Sequence, residues 1–324
     1  MCDTVGNNEW DLDWEDICKP LKELAECSIC PRECKADRRT TRLGYCRSGT
    51  EFAISSIFAH MGEEPVLSGK RGICNIFFDH CNMQCVFCQN YQISRVTAGS
   101  DLPPPQLPDV IAEIEDVLAR GARGVGFVSP SHYIPQMKVI IGTLKARGHR
   151  QPFVFNTNGY DQVSRIKSLE GMIDVYLPDL KYMDERLARE YSDTKNYPNI
   201  ATAALKEMFH QKGANIFLDD DGVIESGLII RHLVLPGHVE NSKAVLRFIA
   251  DELSPAVHIS LMAQYHPTIH VRGHPVLDRT LKAEEYEEVL EEFERLGFYR
   301  GWVQALDSPS HYLPDFTEDQ PFQS

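Results

Sequence analysis

From residue 72 onward, short unbroken apolar runs alternate with longer segments whose apolar positions recur every three or four residues. A bounded apolar run reads as a buried strand, and the three-to-four spacing reads as an amphipathic helix. Cys74-Asn75-Ile76-Phe77-Phe78 is the first such strand. After a Pro-rich linker (Pro103 to Pro105, then Pro108), Val110, Ile111, Ile114, Val117 and Leu118 cover one face of a helix. Residues 124–128 predict the second strand and 134–145 the second helix. Residues 153–155 and 173–177 predict the third and fourth strands, with helices near 162–169, 184–191 and 200–211. The fifth strand, 228–235, precedes a helix at 242–253, and the sixth, 258–263, precedes one at 283–296. Residues 302–304 read as a last short strand. The Asp-Gly turn of Asp219-Asp220-Asp221-Gly222 predicts a hairpin between 215–218 and 223–224.

Six strand–helix units in series imply parallel strands with right-handed crossovers. They are too few for a closed eight-fold barrel. The predicted fold class is therefore α/β, a partial (β/α)6 barrel over residues 72–306, with a small N-terminal Cys-rich metal-binding module at 27–71. Residues 1–26 form an acidic lead-in with a helix near 14–24, and 307–324 form a C-terminal tail.

The loop after the first strand carries Cys81-Asn82-Met83-Gln84-Cys85-Val86-Phe87-Cys88, a C-x3-C-x2-C spacing. Thiolates favour soft metals and iron–sulfur clusters. A closed structural zinc or an electron-transfer cluster takes four protein ligands. Three thiols on a 4Fe–4S cluster would leave one iron open to substrate or cofactor.

The N-terminal module adds Cys27, Cys30, Cys34 and Cys46, spaced C-x2-C-x3-C-x11-C. Four thiolates at such spacings suit a zinc ion or an auxiliary iron–sulfur cluster, and a chain without metal there is the third alternative. Cys2, Cys18 and Cys74 have no evident partners and read as structural. His266, His270 and His274 do not form a metal site, because Pro267, Gly273 and Pro275 forbid the helix that would align them.

The composition, 43% hydrophobic and 25% charged, is that of a soluble globular protein. A formal charge of −14 excludes general attraction to nucleic acid or an anionic membrane. The first eighteen residues are acidic and lack Lys and Arg, unlike a secretory signal. No apolar stretch is long enough to span a bilayer. Ten cysteines without an export signal point to metal ligation rather than disulfides, and to the cytoplasm. Two nearly identical heptapeptides, beginning at Ser129 and Ser308, read as structural turns.

The C-x3-C-x2-C loop after a first strand, with Phe87 before the last cysteine, resembles the signature of the radical S-adenosylmethionine enzymes. The resemblance implies that Cys81, Cys85 and Cys88 hold a 4Fe–4S cluster whose open iron chelates S-adenosylmethionine. Reductive cleavage of that cofactor would give a 5′-deoxyadenosyl radical that abstracts hydrogen from a substrate. Later strand ends narrow the resemblance to the pyruvate formate-lyase activating enzymes: Asp179-Leu180-Lys181, the Arg231 to Gly237 segment, Gln264-Tyr265-His266 and Asn156-Thr157-Asn158-Gly159. By that likeness Lys181 and His266 contact the methionyl end of the cofactor and Asp179 forms the same wall. Arg231 lies near cofactor or substrate, and Thr157 at the cavity floor.

Two positions depart from the activating-enzyme pattern. Its Gly-Gly-Glu stretch is replaced by Ser129-Pro130-Ser131-His132, so a Ser129 hydroxyl or nearby carbonyl would have to accept from the methionyl ammonium. Asn156 replaces an aspartate that helps hold a monovalent cation. Family likeness implies a protein or peptide substrate, and a reductant protein such as flavodoxin or ferredoxin as partner. A small-metabolite substrate is one alternative, and a non-catalytic iron–sulfur or zinc electron-transfer protein is another.

Overall fold

The computed structural model describes residues 13–40, 43–97, 103–306, 314–318 and 321–322. Its strands are β1 (Ile54–His60), β2 (Ile73–Phe78), β3 (Val125–Val128), β4 (Phe153–Thr157), β5 (Val175–Pro178), β6 (Phe217–Leu218), β7 (Ile224–Leu233), β8 (His258–Met262) and β9 (Gly301–Val303). Among the described residues they form one sheet in the order β1-β2-β3-β4-β5-β7-β8-β9, with β6 on β7. β1 runs antiparallel to β2, and β6 to β7; every other pairing is parallel.

β2, β3 and β5 are buried at every position, which is why their sequences are unbroken apolar runs rather than alternations. Each of the six parallel strands from β2 to β8 leads into a helix on the outer face, giving the partial (β/α)6 barrel. The wall is not uniformly zipped. β5 and β7 pair at Val175 with Gly227 and Tyr176 with Leu228, then meet again in a single bridge between Asp179 and Arg231.

The helix Ile134–Ala146 is apolar nearly all round because it is covered on both sides. Its outer side meets the helix Trp14–Cys18, where Ile17 lies over Gly142. That N-terminal helix continues as a 3-10 helix, Lys19–Glu26, where one α-helix was expected.

Three features differ from the sequence reading. Residues 54–60, assigned to the Cys-rich module, form β1, an edge strand of the barrel sheet. The tail contributes Phe316 and Phe322, whose rings lie 5.4 and 5.9 Å from Phe77. Cys18, read from the sequence as structural with no evident partner, is disulfide-bonded, against the general expectation of metal ligation rather than disulfides. Cys2 and most of the second heptapeptide lie outside the described residues. No described helix is long and apolar enough to cross a membrane.

Candidate active site

A cavity of about 420 Å³ opens at the C-terminal ends of the parallel strands. Cys81, Cys85 and Cys88 line it from the loop after β2, and Asp179, Lys181 and Arg231 line it from β5 and β7. The cysteine loop is pinned from behind by the helix Glu185–Ser192. Gln84 N donates to the Ser192 carbonyl at 3.2 Å and Val86 N to that of Tyr191 at 2.8 Å. Phe87 is buried, its ring 6.1 Å from Tyr265.

Each thiol has its own donor. Asn158 Nδ2 reaches Cys81 Sγ at 3.4 Å, Ser192 Oγ reaches Cys85 Sγ at 3.0 Å, and Ser94 Oγ reaches Cys88 Sγ at 3.2 Å. Such donors favour sulfur carrying negative charge. Burial, with the neighbouring thiols adding to it, pushes the Cys81 thiol up to about 12 and that of Cys85 to about 11. Deprotonation therefore calls for a cationic ligand. Among the described residues no three His, Cys, Asp or Glu side chains are gathered around a single ion. Three hydrogen-bonded thiols, Cys81 buried and Cys85 and Cys88 half-buried, spread along one cavity wall and suit a polynuclear iron–sulfur cluster better than one metal ion.

Lys181 Nζ lies 2.5 Å from Asp179 Oδ2. Burial would lower the ammonium, but Asp179 and then Cys85 outweigh it and hold Lys181 above the ordinary lysine range. A fixed cation thus faces the thiol wall. Behind the pair, Tyr197 Oη accepts from Lys181 N at 3.1 Å and donates to the Asn158 carbonyl at 2.9 Å, locking the turn after β5 against that after β4.

Arg231 is clasped by two carboxylates that the sequence reading missed. Its Nε and Nη2 donate to Glu64 at 2.8 and 2.6 Å, and Nη2 also pairs with Glu63. Asn75 Nδ2 donates to the other Glu63 oxygen at 2.8 Å. Both glutamates follow β1 and line the cavity. Their only sequence signal is a Gly-Glu-Glu-Pro start to a helix, which names no partner.

The remaining candidates divide. Ser129 lines the cavity with a left-handed φ of 51°, next to Asn156. Ser131 and His132 are buried and turn away, His132 Nε2 lying 3.1 Å from the Asp79 carbonyl. Thr157 is not on the cavity floor. It is fully buried, hydrogen-bonded to Ser131 Oγ at 3.0 Å and to Asp161. His266 is half-buried and does not line the cavity; Gln264 does, from the same strand end.

The sequence model of the radical SAM superfamily matches residues 75–249. The uncharacterized protein MJ0674 of Methanocaldococcus jannaschii is 34% identical over 269 residues, covering 82% of this chain and 73% of that protein. Among solved structures, TYW1 with a lysine-pyruvate adduct bound is 16% identical with a TM-score of 0.46, over 72% of this chain and 78% of that one. A domain of pyruvate-formate lyase-activating enzyme from Bacteroides vulgatus is 15% identical with a TM-score of 0.41, over 56% of this chain and 99% of that one. With the family model covering more than half the sequence, and a relative above 30% identity along most of it, this chain belongs to the radical SAM superfamily.

Proposed function

We propose that this protein is a radical SAM enzyme that abstracts hydrogen from a protein or peptide substrate. The observation that carries the reading is the facing of the Cys81, Cys85 and Cys88 wall by the Asp179–Lys181 pair across one cavity. Cys81, Cys85 and Cys88 would hold the 4Fe–4S cluster, which supplies the electron for reductive cleavage of S-adenosylmethionine. Lys181 supplies a permanent cation for the methionyl carboxylate, kept in place by Asp179. Ser129, turned into the cavity by its left-handed backbone, is an acceptor for the methionyl ammonium. Phe87 and the buried aromatic rings behind it exclude water from the thiol side.

The peptide assignment draws on family likeness and on the open edges of the sheet at β1 and β9, between which a chain segment could enter. A small metabolite is the second reading. It is favoured by Phe322, whose ring lines the cavity beside Phe77 and Trp302 and narrows that approach.

The test is 5′-deoxyadenosine formation by anaerobically reconstituted protein with a low-potential reductant. Stimulation by a glycyl-radical enzyme or its peptides supports the first reading. Stimulation only by a small-molecule pool replaces it with the second. No 5′-deoxyadenosine under any condition, with the cluster intact, would overturn both.

A further inference from the structure

We propose that Cys27, Cys30, Cys34 and Cys46 hold a second 4Fe–4S cluster that passes electrons to the one on Cys81, Cys85 and Cys88; the electron-passing role rests on the function proposed above. Spacing alone leaves zinc, a cluster and no metal all open. The structure separates the two by size. All four thiols line one partly open cavity of about 10 Å³, enough to admit a water-sized sphere. Four sulfurs held about 2.3 Å from a shared zinc nearly meet at the centre and leave no such space. No three of these thiols are drawn into a single-ion shell, and in this they match the Cys81, Cys85 and Cys88 set. Four thiols not closed around a single ion supply one ligand for each iron of a cubane.

A second, independent feature points the same way. Arg38 lines this cavity and is 2% exposed. Its Nε donates to the Ser48 and Gly49 carbonyls, both at 2.9 Å, and Nη1 to the His132 carbonyl at 2.6 Å. Its Nη2 has no hydrogen-bond partner among the described residues. A buried guanidinium N–H left over beside four thiols calls for an acceptor, and a cluster brings bridging sulfides as well as thiolates. Arg32, also on this cavity, adds a second positive charge against a four-thiolate cluster.

The site abuts the radical loop. Asn82, the residue after Cys81, lines the N-terminal cavity and gives its carbonyl to Arg32 Nε at 3.0 Å. Asn158 Nδ2 bridges Asn82 Oδ1 at 2.8 Å and Cys81 Sγ at 3.4 Å. The N-terminal cavity and Cys81 are therefore separated by one residue. Cys34, on the exposed side, faces solvent and an incoming donor. One electron enters from a low-potential protein reductant of flavodoxin or ferredoxin type and passes through the N-terminal cluster. It is then consumed in the reductive cleavage of S-adenosylmethionine, with no proton required for the transfer.

The experiment uses the full chain carrying Cys81→Ala, Cys85→Ala and Cys88→Ala, reconstituted anaerobically with iron and sulfide. About four irons and four sulfides per chain are expected, with a reduced EPR signal that S-adenosylmethionine does not alter. One zinc and no iron overturns the proposal, as does a folded chain (by circular dichroism) that retains no metal. This readout is independent of cofactor cleavage, so it stands or falls apart from the proposed function. A second arm substitutes Cys30→Ala and Cys46→Ala in the otherwise native chain. The ratio of 5′-deoxyadenosine formed with flavodoxin to that formed with dithionite is expected to collapse. An unchanged ratio, including parallel loss with both reductants, overturns the electron-passing role.

Discussion

Arg231 and Glu64 meet through two parallel contacts, Nε to Oε1 at 2.8 Å and Nη2 to Oε2 at 2.6 Å. The pair joins β7 to the loop after β1, elements separated by four strands in the sheet. Glu63 adds a second carboxylate to the same guanidinium. Removing the cation leaves two buried carboxylates unpaired, a change that typically costs about 3–5 kcal/mol. Arg231→Met should lower the unfolding free energy by that order, read as a lower urea midpoint, and Glu64→Gln by less, because Glu63 still pairs the arginine. Equal urea midpoints for Arg231→Met and the native protein would remove the clasp from the account.

Lys181→Met should weaken S-adenosylmethionine binding by at least about tenfold, ~1.4 kcal/mol. The same change leaves Asp179 without its partner at 2.5 Å. The check is the cofactor-induced change in the EPR spectrum of the reduced cluster, titrated in native and variant protein. Lys181→Arg keeps a charge of different shape and should fall between them.

Cys74 separates the radical reading from the electron-transfer one. It is fully buried in β2 and is not among the residues lining either cysteine cavity. Cys74→Ala should cost about 1 kcal/mol in packing and leave iron content and the cofactor-sensitive signal intact. Loss of the Cys81, Cys85 and Cys88 cluster in this variant would instead identify Cys74 as a fourth ligand.

The chain should lose stability in mild acid. His232 lies buried between the Leu180 carbonyl at 2.7 Å and Ser242 Oγ at 2.9 Å. Burial lowers it from 6.5 to about 4, so the folded protein keeps it neutral. The unfolded chain takes up that proton first as pH falls. The contribution is thus fully present above about pH 6.5 and is lost towards pH 4, roughly 3 kcal/mol at the limit. Urea midpoints measured across that range should fall less steeply in His232→Asn than in the native protein. Parallel curves would assign the acid lability elsewhere.

The barrel was legible wherever burial on both faces forces an unbroken apolar run, as in β2, β3 and β5. β1 escaped because it is an antiparallel edge strand with mixed exposure, embedded in a segment whose cysteines dominate the reading. The cysteine loop and the Asp179–Lys181 pair could be read because their chemistry is local in sequence. The Glu63 and Glu64 partnership with Arg231 could not, since those partners lie 168 and 167 residues apart. Thr157 and His266 show a different limit. A strand-end motif fixes where the backbone arrives, and neighbouring side chains then decide which residue faces the cavity. Asp161 and Ser131 engage Thr157 below it, and Gln264 lines the cavity that His266 does not.

The interrupted pairing of β5 and β7 gives the wall a seam. Below it two residue pairs join the strands; above it only the Asp179–Arg231 bridge does, with Leu180 N donating to the Arg231 carbonyl at 2.9 Å. The same two residues present their side chains to the cavity. Whatever binds those charges also fastens the backbone beneath them, so occupancy of the site and closure of the wall are one event. The amide of Leu180 should be where the wall breathes first when the cavity is bare, and where hydrogen exchange slows most when it is filled.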